Sequence, residues 1–120
     1  SILTTAAMSA IRPRPGLAWF NASKAWAIAA TKSLALDLAS RNIRVNCICP
    51  SGGETGMLAH FMGADTPALR EKFRASVPHG RLSTPEEIAT VALWLVSDEA
   101  AFVTGVAFEI EGDPCVNSDV

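Results

Sequence analysis

From Leu17 to Ser40 no proline or glycine interrupts the chain, and alanine and leucine dominate. That composition predicts one long helix. Trp19, Ala22, Trp26, Ala29 and Ala30 recur at helical spacing, as do Leu34 and Leu38, and Asn42 follows as a stop. Residues 1–6 are β-tolerant and predict a short strand. The breakers of Arg12-Pro13-Arg14-Pro15-Gly16 make Ile11 to Gly16 a loop. Ile43-Arg44-Val45-Asn46-Cys47-Ile48-Cys49 alternates as a strand does, and Pro50 ends it. Residues 56–76 carry two short helical patterns separated near Gly63 to Pro67.

The clearest local signal is Thr84-Pro85-Glu86-Glu87. Thr84 suits a cap, Pro85 the first helical position, and Glu87 completes a capping box. The helix it opens runs through Ile88, Val91, Ala92, Leu95 and Val96 to about Ser97. Val106 to Ile110 predicts a last strand, and the polar tail after Gly112 is expected to be loose. Strands separated by helical stretches pair in parallel through right-handed crossovers. The fold class is therefore α/β: part of a doubly wound, Rossmann-like parallel sheet, about three strands with helices on both faces. With 120 residues and no repeat or linker, the chain is at most one domain.

Composition narrows the function classes. A net charge of −2 gives no basic footprint for nucleic acid. No apolar run approaches the ~20 residues that span a bilayer, and no charged-then-apolar stretch in these residues reads as a signal peptide. Cys47 and Cys49, two apart in a predicted strand, share a face, while Cys115 lies in the tail. Their spacing is not that of a metal or redox pair, so no metal is expected. Buried free thiols in a reducing cytoplasm are the expected state.

Phe20-Asn21-Ala22-Ser23-Lys24 carries the chemistry. This segment resembles the C-terminal half of a short-chain dehydrogenase/reductase, where a Tyr precedes a Lys by four residues and follows a Ser by thirteen. Further pieces stand in register: Thr4 to Ala7, Pro15 to Ala18, Lys32 to Ala39, Ile43 to Asn46 with Pro50, Gly80 to Ala89, and Ser97-Asp98 through Thr104-Gly105. The Lys is retained as Lys24. The Tyr position is Phe20 and the Ser position is Ala7.

The resemblance implies NAD- or NADP-linked hydride transfer to or from a carbonyl or alcohol. The Tyr hydroxyl would be the general acid or base. A free Tyr titrates near pH 10, so an ammonium one helical turn away lowers that value. The Lys also bonds the nicotinamide ribose, and the Ser steadies the substrate oxygen. Phe20 offers no proton and Ala7 no hydrogen bond. Ser to Ala and Tyr to Phe are the smallest changes that delete each hydroxyl, and the chain has no Tyr elsewhere. Thr5 and Ser9 flank Ala7 as stand-in hydroxyls, Ser9 from a loop; local backbone bonding is the simpler role for both. His60 and His79 are isolated and read as surface or packing residues. Pro50, Ser51, Gly52 and Thr55 match the loop that reaches the nicotinamide amide and the pyrophosphate, with Ser51 in place of a Gly. Glu111-Gly112-Asp113 stands where the family has Asp-Gly-Gly.

No G-x-G-x-x-G occurs in the chain. By resemblance residues 1–120 are a C-terminal half whose nucleotide-binding N-terminal half is absent, so neither NAD nor NADP is expected to bind this chain alone. A separate complementary half is one expected partner. The other is a second copy, in a two-fold dimer through the long helix and its alanines Ala22, Ala25, Ala29 and Ala30, with residues 2–6 left at a sheet edge. The alternative function is thus a pseudoenzyme serving as an oligomerisation or interaction module. Trp19, Trp26 and Trp94 suit such a surface, although core burial is the default expectation for at least two of them.

Overall fold

The computed structural model describes residues 1–75, 77 and 79–111. Cys115 and the tail after Gly112 lie outside the described residues. The elements are β1 (Ile2–Thr5), α1 (Ala18–Leu38), β2 (Val45–Pro50), α2 (Leu58–Met62), α3 (Pro67–Ala75), α4 (Pro85–Val96) and β3 (Ala107–Ile110). The three strands form one parallel sheet in the order β1-β2-β3, so β1 is at an edge. Thr5 aligns with Ile48, and Pro50 with Ile110.

Helices cover both faces. On one, Cys47 and Cys49 join Ala6 and Met8 in a buried cluster beneath Ala27 and Ile28 of α1. On the other, Trp94 of α4 meets Phe108 edge-on, ring centroids 6.0 Å apart. β2 is the central strand, and its Val45 to Cys49 are all buried. The Arg44 guanidinium donates to the carbonyls of Leu95, Ser97 and Val103, filling the acceptors that the end of α4 leaves open. Asn46 locks the same turn: its Nδ2 donates to Val103 O, and its Oδ1 accepts from Val106 N–H.

Local cues account for most boundaries. Asn42 takes the left-handed conformation at φ 56° and ends the turn that follows α1. Ile43 still donates to Leu38 O, so β2 starts two residues later than the alternation suggested. Pro50 ends the strand as read, as the last member of the ladder. A 3₁₀ turn at Met8–Ala10 replaces the expected open loop after β1, because buried Met8 accepts at its carbonyl from Ile11 and Arg12.

The tryptophan expectation fails. Trp19 is 89% exposed, Trp26 72% and Trp94 37%. Helix α1 turns Asn21, Thr31 and Ala35 inward, which places Trp19, Ala22, Trp26 and Ala29 on the opposite side. Thr31 is tolerated inside because its hydroxyl bonds Ala27 O at 2.8 Å and Thr4 Oγ1 at 2.6 Å.

The capping box of α4 forms as read: Glu87 N–H donates to Thr84 Oγ1 at 3.3 Å, and Thr84 N–H donates to the Glu87 carboxylate at 2.9 Å. Thr84→Ala should cost about 1 kcal/mol in chemical denaturation. Arg81 and the Thr84 N–H hold the Glu87 carboxyl down at about 2, from an ordinary 4.5. A depressed folded-state value stabilises fully above about pH 4.5 and loses that contribution as pH falls towards 2. Glu87→Gln should flatten the acid limb of a stability–pH curve over that interval.

Candidate functional site

Parallel α/β sheets present ligands at the carboxyl ends of their strands, and here those ends bring the predicted residues together. β1 delivers Ala7 two residues past Thr5, in extended conformation at φ −163° and ψ 158°. The first turn of α1 carries Phe20, and its second carries Lys24. Residues four apart on a helix are neighbours, and the Lys24 ammonium lies over the Phe20 ring, 5.7 Å from its centroid. Lys24 Nζ donates to Thr5 O at 3.0 Å. Thr5 thus serves the site through its backbone rather than its hydroxyl. Ser9 does not swing towards it: the 3₁₀ turn holds its Oγ buried, without a hydrogen-bond partner among the described residues.

The loop leaving β2 closes the other side. Pro50, Ser51, Gly52, Gly53 and Thr55 line a cleft of about 310 Å³ together with Phe61 of α2. Phe61 ties this cleft to α1, meeting Phe20 edge-on at 5.5 Å and 70°. A Cβ at Gly52 would lie 2.8 Å from the Phe73 ring, which would have to shift, and that ring carries the Arg14 guanidinium 5.3 Å from its centroid. Gly53 pairs with Ser83 in an isolated parallel bridge that fixes the loop against the approach to α4. On the opposite flank Arg12 pairs with Glu109 at 3.5 Å and with Glu111, clipping the loop after β1 to the end of β3.

Chemically, the site holds a cation and neutral hydroxyls but no acid at the Tyr position. Lys24 has two N–H donors beyond the one given to Thr5. Thr55 Oγ1 accepts from Met57 N–H at 3.3 Å, which leaves its own proton to donate. Cys47 and Cys49 are free and buried in the cluster beneath α1; hydrogen bonding between them lowers the Cys47 thiol and raises that of Cys49. His60 and His79 are exposed. Among the described residues no group of His, Cys, Asp or Glu is arranged to hold a metal ion, and no helix is long and apolar enough to cross a membrane.

Residues 1–112 match the family described as Enoyl-(Acyl carrier protein) reductase. The chain belongs to the short-chain dehydrogenase/reductase family. It is 44% identical over 112 residues to the 4-formylbenzenesulfonate dehydrogenase TsaC1/TsaC2 of Comamonas testosteroni, covering 92% of this chain and 44% of that protein. It is 38% identical over 100 residues to a Xanthobacter autotrophicus protein named inactive 2-(S)-hydroxypropyl-CoM dehydrogenase 2, covering 82% of this chain and 44% of that one. The solved 3-ketoacyl-(acyl-carrier-protein) reductase of Brucella melitensis, complexed with NADH, superposes with a TM-score of 0.82 at 45% identity, covering 92% of this chain and 42% of that chain. The chain thus spans less than half the length of these short-chain dehydrogenase/reductase relatives.

Two features escaped the sequence reading. Phe61 stands in a segment with no readable pocket code, and its contact with Phe20 spans 41 positions, beyond any local pattern. The bond from Lys24 to Thr5 O was equally hidden, since a backbone acceptor leaves no trace in residue type.

Proposed function

We propose that this chain is the C-terminal, carbonyl-facing half of an NAD(P)-dependent oxidoreductase, catalytically silent as it stands. The observation that carries this reading is the Lys24 ammonium seated over the Phe20 ring, where a phenol would have been activated. When bound, the dinucleotide supplies or accepts a hydride. Lys24, Ser51 and Thr55 orient its nicotinamide end, Pro50 and Gly52 shape the loop, and the Ala7 and Phe20 positions leave the substrate oxygen without a proton or a steadying hydrogen bond. The Xanthobacter relative carries the word inactive in its name, which agrees with a silent member of the family. The two buried thiols suit a reducing, cytoplasmic setting, and the net charge suits no nucleic-acid partner.

The 120-residue chain should bind NADH or NADPH no tighter than about 1 mM, near −4 kcal/mol, because its sequence holds no G-x-G-x-x-G to seat the pyrophosphate. Isothermal calorimetry reporting micromolar binding would overturn that expectation, and a complementary N-terminal half added to the cell should restore binding.

A second reading, that of an assembly module, is favoured by the outward stripe of α1. Trp19 and Trp26 are largely exposed beside Ala22 and Ala29. Large aromatics flanked by small residues let a second helix approach closely. A two-fold dimer through this face fits the stripe, and the β1 edge offers a further pairing surface for a complementary half.

A further inference from the structure

A lysine sits on the outer edge of β1, where a neighbouring strand would pair. Ile2 N–H donates to Arg44 O and Ala6 N–H to Ile48 O, each at 2.8 Å, and Thr4 pairs with β2 between them. Backbone groups of alternate residues point to opposite sides of a strand. Ile2, Thr4 and Ala6 therefore serve β2, while Leu3 and Thr5 turn their N–H and C=O groups outward. No strand pairs with that side among the described residues. Its last acceptor is nevertheless filled, because Lys24 Nζ stands 3.0 Å from Thr5 O. Among the described residues the ammonium has no carboxylate partner; it meets this carbonyl and the Phe20 ring.

We propose that Lys24 covers the outer edge of β1 in the unassembled chain and yields it to an incoming strand of the complementary half. The partner that completes the sheet thereby frees the ammonium, a role that rests on reading the chain as one half of an oxidoreductase. Length points to that occupant: the match covers 44% of the Comamonas relative and 42% of the Brucella one, so more than half of each lies outside it. A strand from that remainder would meet Leu3 and Thr5 with their backbone groups turned towards it. Neighbouring strands run about 4.8 Å apart, and the incoming N–H would come within about 2.9 Å of Thr5 O, the place the ammonium holds. The two donors compete for one oxygen. Lysine suits the first role because a charge on an edge resists unintended pairing, and its flexible stem lets the ammonium leave without moving α1. Once displaced, all three N–H donors of Lys24 are free for the dinucleotide. Strand docking and dinucleotide binding then favour each other.

The test takes the remainder of the Brucella reductase, expressed as a separate chain, as the incoming half. It is bound, without cofactor, to this chain and to its Lys24→Met, Lys24→Arg and Lys72→Met variants by biolayer interferometry. Lys24→Met keeps the apolar stem and loses the competing donor, so it should bind the half about fivefold or more tighter than the unmodified chain. Lys24→Arg, which keeps a donor cation, and Lys72→Met, on the exposed surface of α3, should bind it as the unmodified chain does. Hydrogen exchange at the Thr5 N–H should slow about tenfold or more on assembly, with a smaller change at Thr4, which already faces β2. NADH binding to the assembled particle should move the opposite way, weakening about tenfold with Lys24→Met. A lysine that merely stabilised the chain would weaken both. Equal or weaker binding of the half by Lys24→Met, no binding of the half at all, or a Thr5 N–H already protected in the chain alone would overturn the proposal. Tighter strand docking with unmoved NADH affinity would count against the oxidoreductase reading alone, and the reverse pattern against the edge role alone.

Discussion

Restoring both hydroxyls, with Ala7→Ser and Phe20→Tyr together, should raise carbonyl reduction by ~10⁴-fold or more over the unmodified chain when each is assembled with the nucleotide-binding half of a relative. A positioned general acid commonly contributes ~10²–10⁴, and an oxyanion donor ~10²–10³. The backbone already places both positions: Ala7 stands at the end of β1 in extended conformation, and Phe20 lies one turn before Lys24. The gain should vanish with Lys24→Ala, which removes the ammonium that activates the phenol. The restored chain without the second half should stay inactive, since the hydride donor would lack its phosphate seat. Consumption of NADPH with a panel of small ketones measures all four arms. Turnover by the restored chain alone, above its Lys24→Ala control, would contradict the division of labour between the halves.

In solution at micromolar concentration the chain should be a dimer, and Ala29→Glu should weaken association by ~100-fold or more, the scale of an unpaired charge buried at an interface. Ala29 lies three residues after Trp26 on the outward stripe and is itself exposed, so in the monomer the same change faces water and costs little. Lys72→Glu, on the exposed surface of α3, is the matched control and should leave the particle intact. Sedimentation velocity separates the outcomes: a monomer for the unmodified chain, or a dimer indifferent to Ala29→Glu, would remove α1 as the contact.

How much of this was legible in the sequence depended on range. Thr84 and Glu87 are three residues apart, and their reciprocal bonds formed as the residue types dictated. Asn42 stopped its helix for an equally local reason. The alternation in β2 put Cys47 and Cys49 on one face, and they are buried together. The inward face of α1 was not legible, because alanine, leucine and tryptophan surround that helix and periodicity selects no side. Its inward face is marked instead by polar Asn21 and Thr31, which fit only because Arg14 O, Ala27 O and Thr4 Oγ1 lie within reach. The same limit applied at the site. Spacing placed Lys24 against Phe20, a contact one turn long, while the Phe61 wall and the cleft beside it depend on where α2 and the start of α4 come to rest.

The most direct measurement uses the chain's lack of any tyrosine. A phenol introduced by Phe20→Tyr would be the sole tyrosine of this 120-residue chain, so its ionisation can be followed by phenolate absorbance against an otherwise constant background. A site that keeps the activating cation for an acid it has lost predicts a midpoint about one unit or more below 10, the shift expected of an ammonium some 4–6 Å away, and a return towards 10 when Lys24→Met is added. A midpoint at or above 10, unmoved by Lys24→Met, would contradict it.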